Sequence, residues 1–113
     1  MQVSTRKKRR VCIVDVTGRL TLAEGEDLLR DKLTELLNAG ERRFIFNLNG
    51  LSVIDSAGVG EIVACYKRAA ENAAVMKIAL KADGLVRHVF KFTGLENALE
   101  VFDEEKDAIA SFS

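Results

Sequence analysis

The segment Phe44-Ile45-Phe46-Asn47-Leu48 does most to narrow what this chain can fold into. It is a short, nearly continuous apolar run, the pattern of a strand covered on both faces as in a parallel sheet. The stretch after it has helical spacing: Val59, Ile62, Val63, Tyr66 and Ala70 recur on one side, with Glu61, Lys67, Arg68 and Glu71 largely on the other. The same alternation runs along the rest of the chain. Residues 11–16 are β-branched and apolar and run into a turn at Thr17-Gly18. Leu29, Leu33, Leu36 and Leu37 predict a helix over 23–39, closed by Asn38-Ala39-Gly40. Residues 75–80 read as another strand, and Leu85, Val86, Val89 and Phe90 as a third helix stopped at Thr93-Gly94. A short strand over 98–101 and a final helix over 103–112 complete the pattern. Strands alternating with helices imply an α/β fold, a mostly parallel central sheet packed with about four helices. Residues 2–6 are expected to add a hairpin arm to 11–16. With 113 residues, no proline, no low-complexity linker and no internal repeat, residues 1–113 read as one domain.

Charge narrows the partners. Seventeen basic residues balance seventeen acidic ones, which argues neither for direct nucleic-acid binding nor for an anionic membrane. Apolar runs stay far below the ~20 residues that span a bilayer, and the polar, basic start lacks the apolar stretch of a secretory signal. The expectation is a cytoplasmic protein with no membrane insertion. The cations Arg6, Lys7, Lys8, Arg9 and Arg10 could touch nucleic acid or acidic lipid, but such a run more often is a solvated hairpin turn or edge strand, where charge blocks strand addition. Cys12 and Cys65 lie in apolar stretches and read as inert core thiols. Without C-x-x-C spacing, and with one histidine in the chain, they build no redox pair or zinc site, so no metal is expected.

The chemistry-bearing segment is Leu51-Ser52-Val53-Ile54-Asp55-Ser56-Ala57-Gly58-Val59-Gly60. An apolar strand end meets Asp-Ser, then small residues, then an amphipathic helix. Ser56 reads as the helix N-cap, its hydroxyl accepting a bond from an unpaired backbone N–H. Gly58 and Gly60 strip side chains from the helix start, so that another surface could approach the backbone, at a cost of about 1 kcal/mol each relative to alanine. A tight strand–helix packing contact would explain the same glycines. Catalysis is not indicated. Ser56 lacks a G-x-S-x-G context, and His88, the single histidine, reads as a surface or half-buried structural residue. Gly58-Val59-Gly60 is too short for a dinucleotide or phosphate loop, so no cofactor is expected.

The hexapeptide Asp55-Ser56-Ala57-Gly58-Val59-Gly60, after Leu51-Ser52-Val53-Ile54, resembles the D-S-[SAT]-G-x-G signature of STAS domains, the family of the anti-sigma-factor antagonists. Val16-Thr17-Gly18-Arg19-Leu20 resembles the family's turn after its second strand, and Phe92-Thr93-Gly94-Leu95 the turn after its third helix, so the likeness covers almost the whole chain. Where family antagonists often read G-x-L-D, this chain reads Gly18-Arg19-Leu20-Thr21. The resemblance implies a partner-switching cycle. An anti-sigma-factor serine kinase would phosphorylate the serine matching Ser56, and a serine phosphatase would reset it. The unphosphorylated antagonist would sequester the kinase through Asp55, Ser56, Ala57, Gly58, Val59 and Gly60. The alternative is a STAS scaffold that needs no phosphate, such as a subunit of a transporter or of a larger signalling assembly.

Overall fold

The computed structural model describes residues 1–25 and 27–113. In chain order the elements are β1 (Gln2–Lys8), β2 (Val11–Leu20), α1 (Leu28–Asn38), β3 (Arg43–Ile54), α2 (Ser56–Glu71), β4 (Val75–Ala79), α3 (Leu85–Thr93), α4 (Leu95–Ala98), β5 (Val101–Phe102) and α5 (Glu105–Ala110). The strands form one sheet in the order β1-β2-β3-β4-β5. The sheet is mixed rather than mostly parallel: β1 runs antiparallel to β2, and the three other pairings are parallel. The described residues form five helices, not about four. The extra one is α4, which takes part of the segment expected to be strand and leaves β5 two residues long.

Alternation along the strands sorts the side chains into two cores. Cys12, Val14, Val16, Phe44, Phe46 and Leu48 pack with Leu29 and Leu33 of α1, Ile62 of α2 and Phe90 of α3. On the opposite face Val11, Ile13, Ile45 and Ala79 are covered by Ala108 and Ile109 of α5. Burial on both faces accounts for the unbroken apolar run in β3, each fully buried Phe or Leu contributing roughly 2–3 kcal/mol. Cys12 and Cys65 are buried and unpaired. Burial raises both thiols, that of Cys65 to about 12.

Several boundaries move for identifiable reasons. Helix α1 begins at Leu28 rather than at Ala23, because Thr21 and Glu24 close a small backbone bridge and Gly25 takes a φ of 79°, both foreign to a helix. Glu26, inside the expected helix, lies outside the described residues. Strand β2 continues through Thr17-Gly18 as an irregular ladder, with register shifts at Asp15/Thr17 and Gly18/Arg19. The first hairpin turns on Arg9 and Arg10, whose φ values of 51° and 66° are those of a tight two-residue turn usually made with Asn-Gly. For side-chain-bearing residues this left-handed geometry costs roughly 1–2 kcal/mol each. Among the described residues no helix is long and apolar enough to cross a membrane.

Candidate functional site

The parallel strands β2 and β3 end side by side, with Leu20 opposite Ile54. The Asp55 N–H donates to the Leu20 carbonyl at 3.3 Å, and the chain then turns into α2. Asp55, not Ser56, is the N-cap. Its Oδ1 accepts from the Gly58 N–H and its Oδ2 from the Leu22 N–H, each at 2.9 Å. A carboxylate has two oxygens where a hydroxyl has one, so Asp55 satisfies the helix end and the neighbouring β2–α1 loop together. These donors, Leu22 foremost and Gly58 next, hold its carboxyl below the usual carboxylate range.

Ser56 is thereby displaced to the first helical position. It is exposed, and among the described residues its hydroxyl makes no hydrogen bond. The helix start thus presents a free hydroxyl beside a fixed carboxylate. The two glycines in this first turn differ. A Cβ at Gly58 would press on the Leu20 carbonyl oxygen and meet Ile54 Cγ1 at 2.7 Å, so this glycine lets α2 seat on the end of β2. Among the described residues a Cβ at Gly60 would meet nothing within 4 Å, and Gly60 is exposed. Of the six residues expected at a partner surface, Ser56 and Gly60 are exposed, Asp55, Ala57 and Val59 half-buried, and Gly58 buried.

The core face of α2 is rotated from the expected one. Gly58, Glu61, Ile62, Cys65 and Ala69 face the core, whereas Val59 and Val63 are half-buried and Tyr66 and Ala70 exposed. Glu61, expected on the solvent side, is 5% exposed. Arg30 of α1 donates to it twice, Nε to Oε1 at 3.0 Å and Nη2 to Oε2 at 2.6 Å, a fork that joins the two helices. Val59 and Val63 therefore lie on a flank of α2, partly buried against the main core, and Tyr66 on the same flank is exposed. Leu22, 68% exposed and tied by its N–H to Asp55, flanks the same helix start. Sequence reasoning missed Leu22, because no local signal joins it to a residue 33 positions away. His88 is exposed on α3 and has no hydrogen bond to Ser56 among the described residues.

A family model described as STAS domain matches residues 2–108. An anti-sigma factor antagonist from Mycobacterium paratuberculosis superposes with a TM-score of 0.84 at 14% identity, over 97% of this chain and 92% of that one. The Bacillus cell fate determinant SpoIIAA in its phosphorylated form gives a TM-score of 0.67 at 23% identity, over 99% and 100% of the two chains. A sulfate transporter family protein from Wolinella succinogenes gives 0.70 at 21% identity, over 92% and 85%. At these identities the structural likenesses speak to the fold.

Proposed function

Because the chain belongs to the STAS domain family, we propose that it is an anti-sigma-factor antagonist, a non-catalytic binding module whose grip on an anti-sigma-factor kinase is switched by phosphorylation of Ser56. The observation that carries this reading is the free, exposed hydroxyl of Ser56 at the first position of α2, with the capping role taken over by Asp55. A hydroxyl bound up as a cap would have to leave the helix to be phosphorylated; this one does not. The surroundings suit a docking surface: small residues at Ala57 and Gly60, and an apolar flank from Leu22, Val59, Val63 and Tyr66. The proposed partners are that serine kinase and the serine phosphatase that reverses it, in the cytoplasm.

The sign of the switch is set by charge. A phosphoserine adds about −1.5 to −2 charges. The α2 dipole favours it by ~0.3–1 kcal/mol, while the neighbouring Asp55 carboxylate opposes it, so the fold should tolerate the group. In a desolvated contact the same dianion without a partner costs several kcal/mol. Binding is lost through the interface, with the domain intact.

The test is phosphate transfer from an anti-sigma-factor serine kinase that binds the chain, with peptide mapping of the product. One phosphate on Ser56, and none on Ser56→Ala, is the expected result. Phosphate on Ser52, or none with an ATPase that binds the chain, would leave the scaffold reading as the better one.

A further inference from the structure

The five cations at residues 6–10 have no part in the Ser56 surface, and the fold separates them into two groups. Arg6 is held by Asp15 at 2.6 Å and by Glu105 at 2.6 Å, and Lys7 by Glu41 at 2.7 Å. Arg9 and Arg10 form no ion pair among the described residues and project at the hairpin tip. Between this tip and α5 lies an open groove of about 390 Å³, lined by Lys8, Arg9, Lys106 and Ile109. Lys8 is 3.8 Å from Glu105 and Lys106 3.7 Å from Glu104, loose contacts that leave both ammonium groups available. Three cations thus ring one apolar contact. The tip keeps arginines in a turn geometry that Asn-Gly would adopt without strain, so the charge there is not a by-product of the turn.

We propose that this groove is a second binding site, which takes an acidic segment of a partner protein carrying one apolar residue between its carboxylates. The carboxylates would reach Lys8, Arg9 and Lys106, and the apolar side chain would rest on Ile109. The arrangement fits this occupant better than other anionic ones. A bilayer is gripped by apolar groups that protrude, whereas Ile109 is a recessed floor, 9% exposed. Single-stranded nucleic acid needs aromatic platforms and a track of cations, and among the described residues no aromatic side chain lines the groove. The groove lies at the opposite end of the sheet from Ser56: it begins before Val11, while Ser56 comes after Ile54, the partner of Leu20 at the far end of β2. Ten residues of strand at about 3.3 Å each separate the two ends. The proposal does not rest on the Ser56 reading.

The test is an anisotropy titration of the full chain with a fluorescein-labelled Glu-Glu-Leu-Glu-Glu peptide at low salt, with amide shifts recorded by NMR. Saturable binding is expected, with shift changes confined to residues 8–10 and 106–109 and affinity falling as salt rises. Arg9→Gln with Lys106→Gln should weaken binding about tenfold, removing two exposed cations that hold no core contact. Its thermal unfolding controls for folding. Replacing the peptide's leucine by serine should also weaken binding, and Ser56→Asp should leave it unchanged. Absence of saturation at millimolar peptide, full affinity in the double variant, no penalty for the leucine replacement, or a preference for phosphatidylserine vesicles or oligo-dT over the peptide would each overturn the proposal.

Discussion

Gly58 and Gly60 sit two residues apart at the start of α2, yet a methyl group added to each should act in opposite directions. At Gly58 the new carbon would press on the Leu20 carbonyl oxygen, lie 2.7 Å from Ile54 Cγ1 and 3.1 Å from the Leu20 carbonyl carbon. That carbonyl accepts the Asp55 N–H, and Leu20 is held in the ladder with β3, so the obstruction is backbone that cannot swing aside. Overpacking against rigid structure costs about 3 kcal/mol, the upper part of its usual range. Alanine's better helix propensity returns about 1 kcal/mol, leaving a net loss of about 2 kcal/mol for Gly58→Ala. At Gly60 an added Cβ would meet no described residue within 4 Å beyond its own helix backbone, so Gly60→Ala should keep the whole propensity gain of about 1 kcal/mol. For a domain of this size, with Tm moving about 4 °C per kcal/mol, Tm should fall by about 8 °C in the first variant and rise by about 4 °C in the second. Urea unfolding should show displaced midpoints with unchanged slopes. Equal stability of Gly58→Ala and the parent chain, or a comparable loss in Gly60→Ala, would refute the assignment of one glycine to packing and the other to an open surface.

Ser56→Ala should change stability by less than about 0.5 kcal/mol, because the hydroxyl is not the cap; a loss of about 1 kcal/mol or more in urea unfolding would return the capping role to Ser56. Asp55 has its pKa lowered in the folded state, so its stabilising contribution is fully present above the unfolded value of about 3.9 and disappears as pH falls through the folded one. Asp55→Asn should therefore unfold at a lower temperature than the parent at neutral pH, with the gap closing below about pH 4; a gap independent of pH would contradict the two N–H bonds to the carboxylate. Cys12 and Cys65 should resist a thiol reagent in the native state and react together on unfolding, and rapid labelling of either in the folded protein would show that the core is more open than its burial indicates.

What the sequence disclosed and what it withheld divide along physical lines. The strand at Phe44-Ile45-Phe46 was legible because burial on both faces leaves a continuous apolar run. The end of α3 was legible from Gly94, which takes a left-handed φ of 79°. The rotation of α2 was not legible. Apolarity favoured Val59, Val63 and Tyr66, but the core face is made partly of Gly58 and Ala69, small enough to be crowded against the sheet, and of Glu61, whose burial depends on an arginine 31 residues away. The cap was ambiguous for a related reason. Asp55 and Ser56 are both good capping residues, and the Leu22 N–H that favours the carboxylate is distant in sequence. The signature residues 55–60 could be found from spacing and resemblance, whereas their division into exposed hydroxyl, fixed carboxylate, packing glycine and open glycine required tertiary contacts.

In the proposed switch, Ser56 governs partner binding through charge at an exposed helix start. Isothermal calorimetry of the kinase against unphosphorylated chain, Ser56→Ala, Ser56→Asp and phosphorylated chain measures it directly. Ser56→Ala should bind within a few-fold of the parent, since among the described residues the hydroxyl makes no hydrogen bond that alanine would forfeit. The phosphorylated chain should bind on the order of a hundred- to several thousand-fold more weakly, the equivalent of ~3–5 kcal/mol for burying an unpaired dianion. Ser56→Asp, with one charge, should fall between them while unfolding at a temperature close to that of the parent. Undiminished binding by the phosphorylated chain, with its Ser56 phosphate verified by mass spectrometry, would contradict the switch.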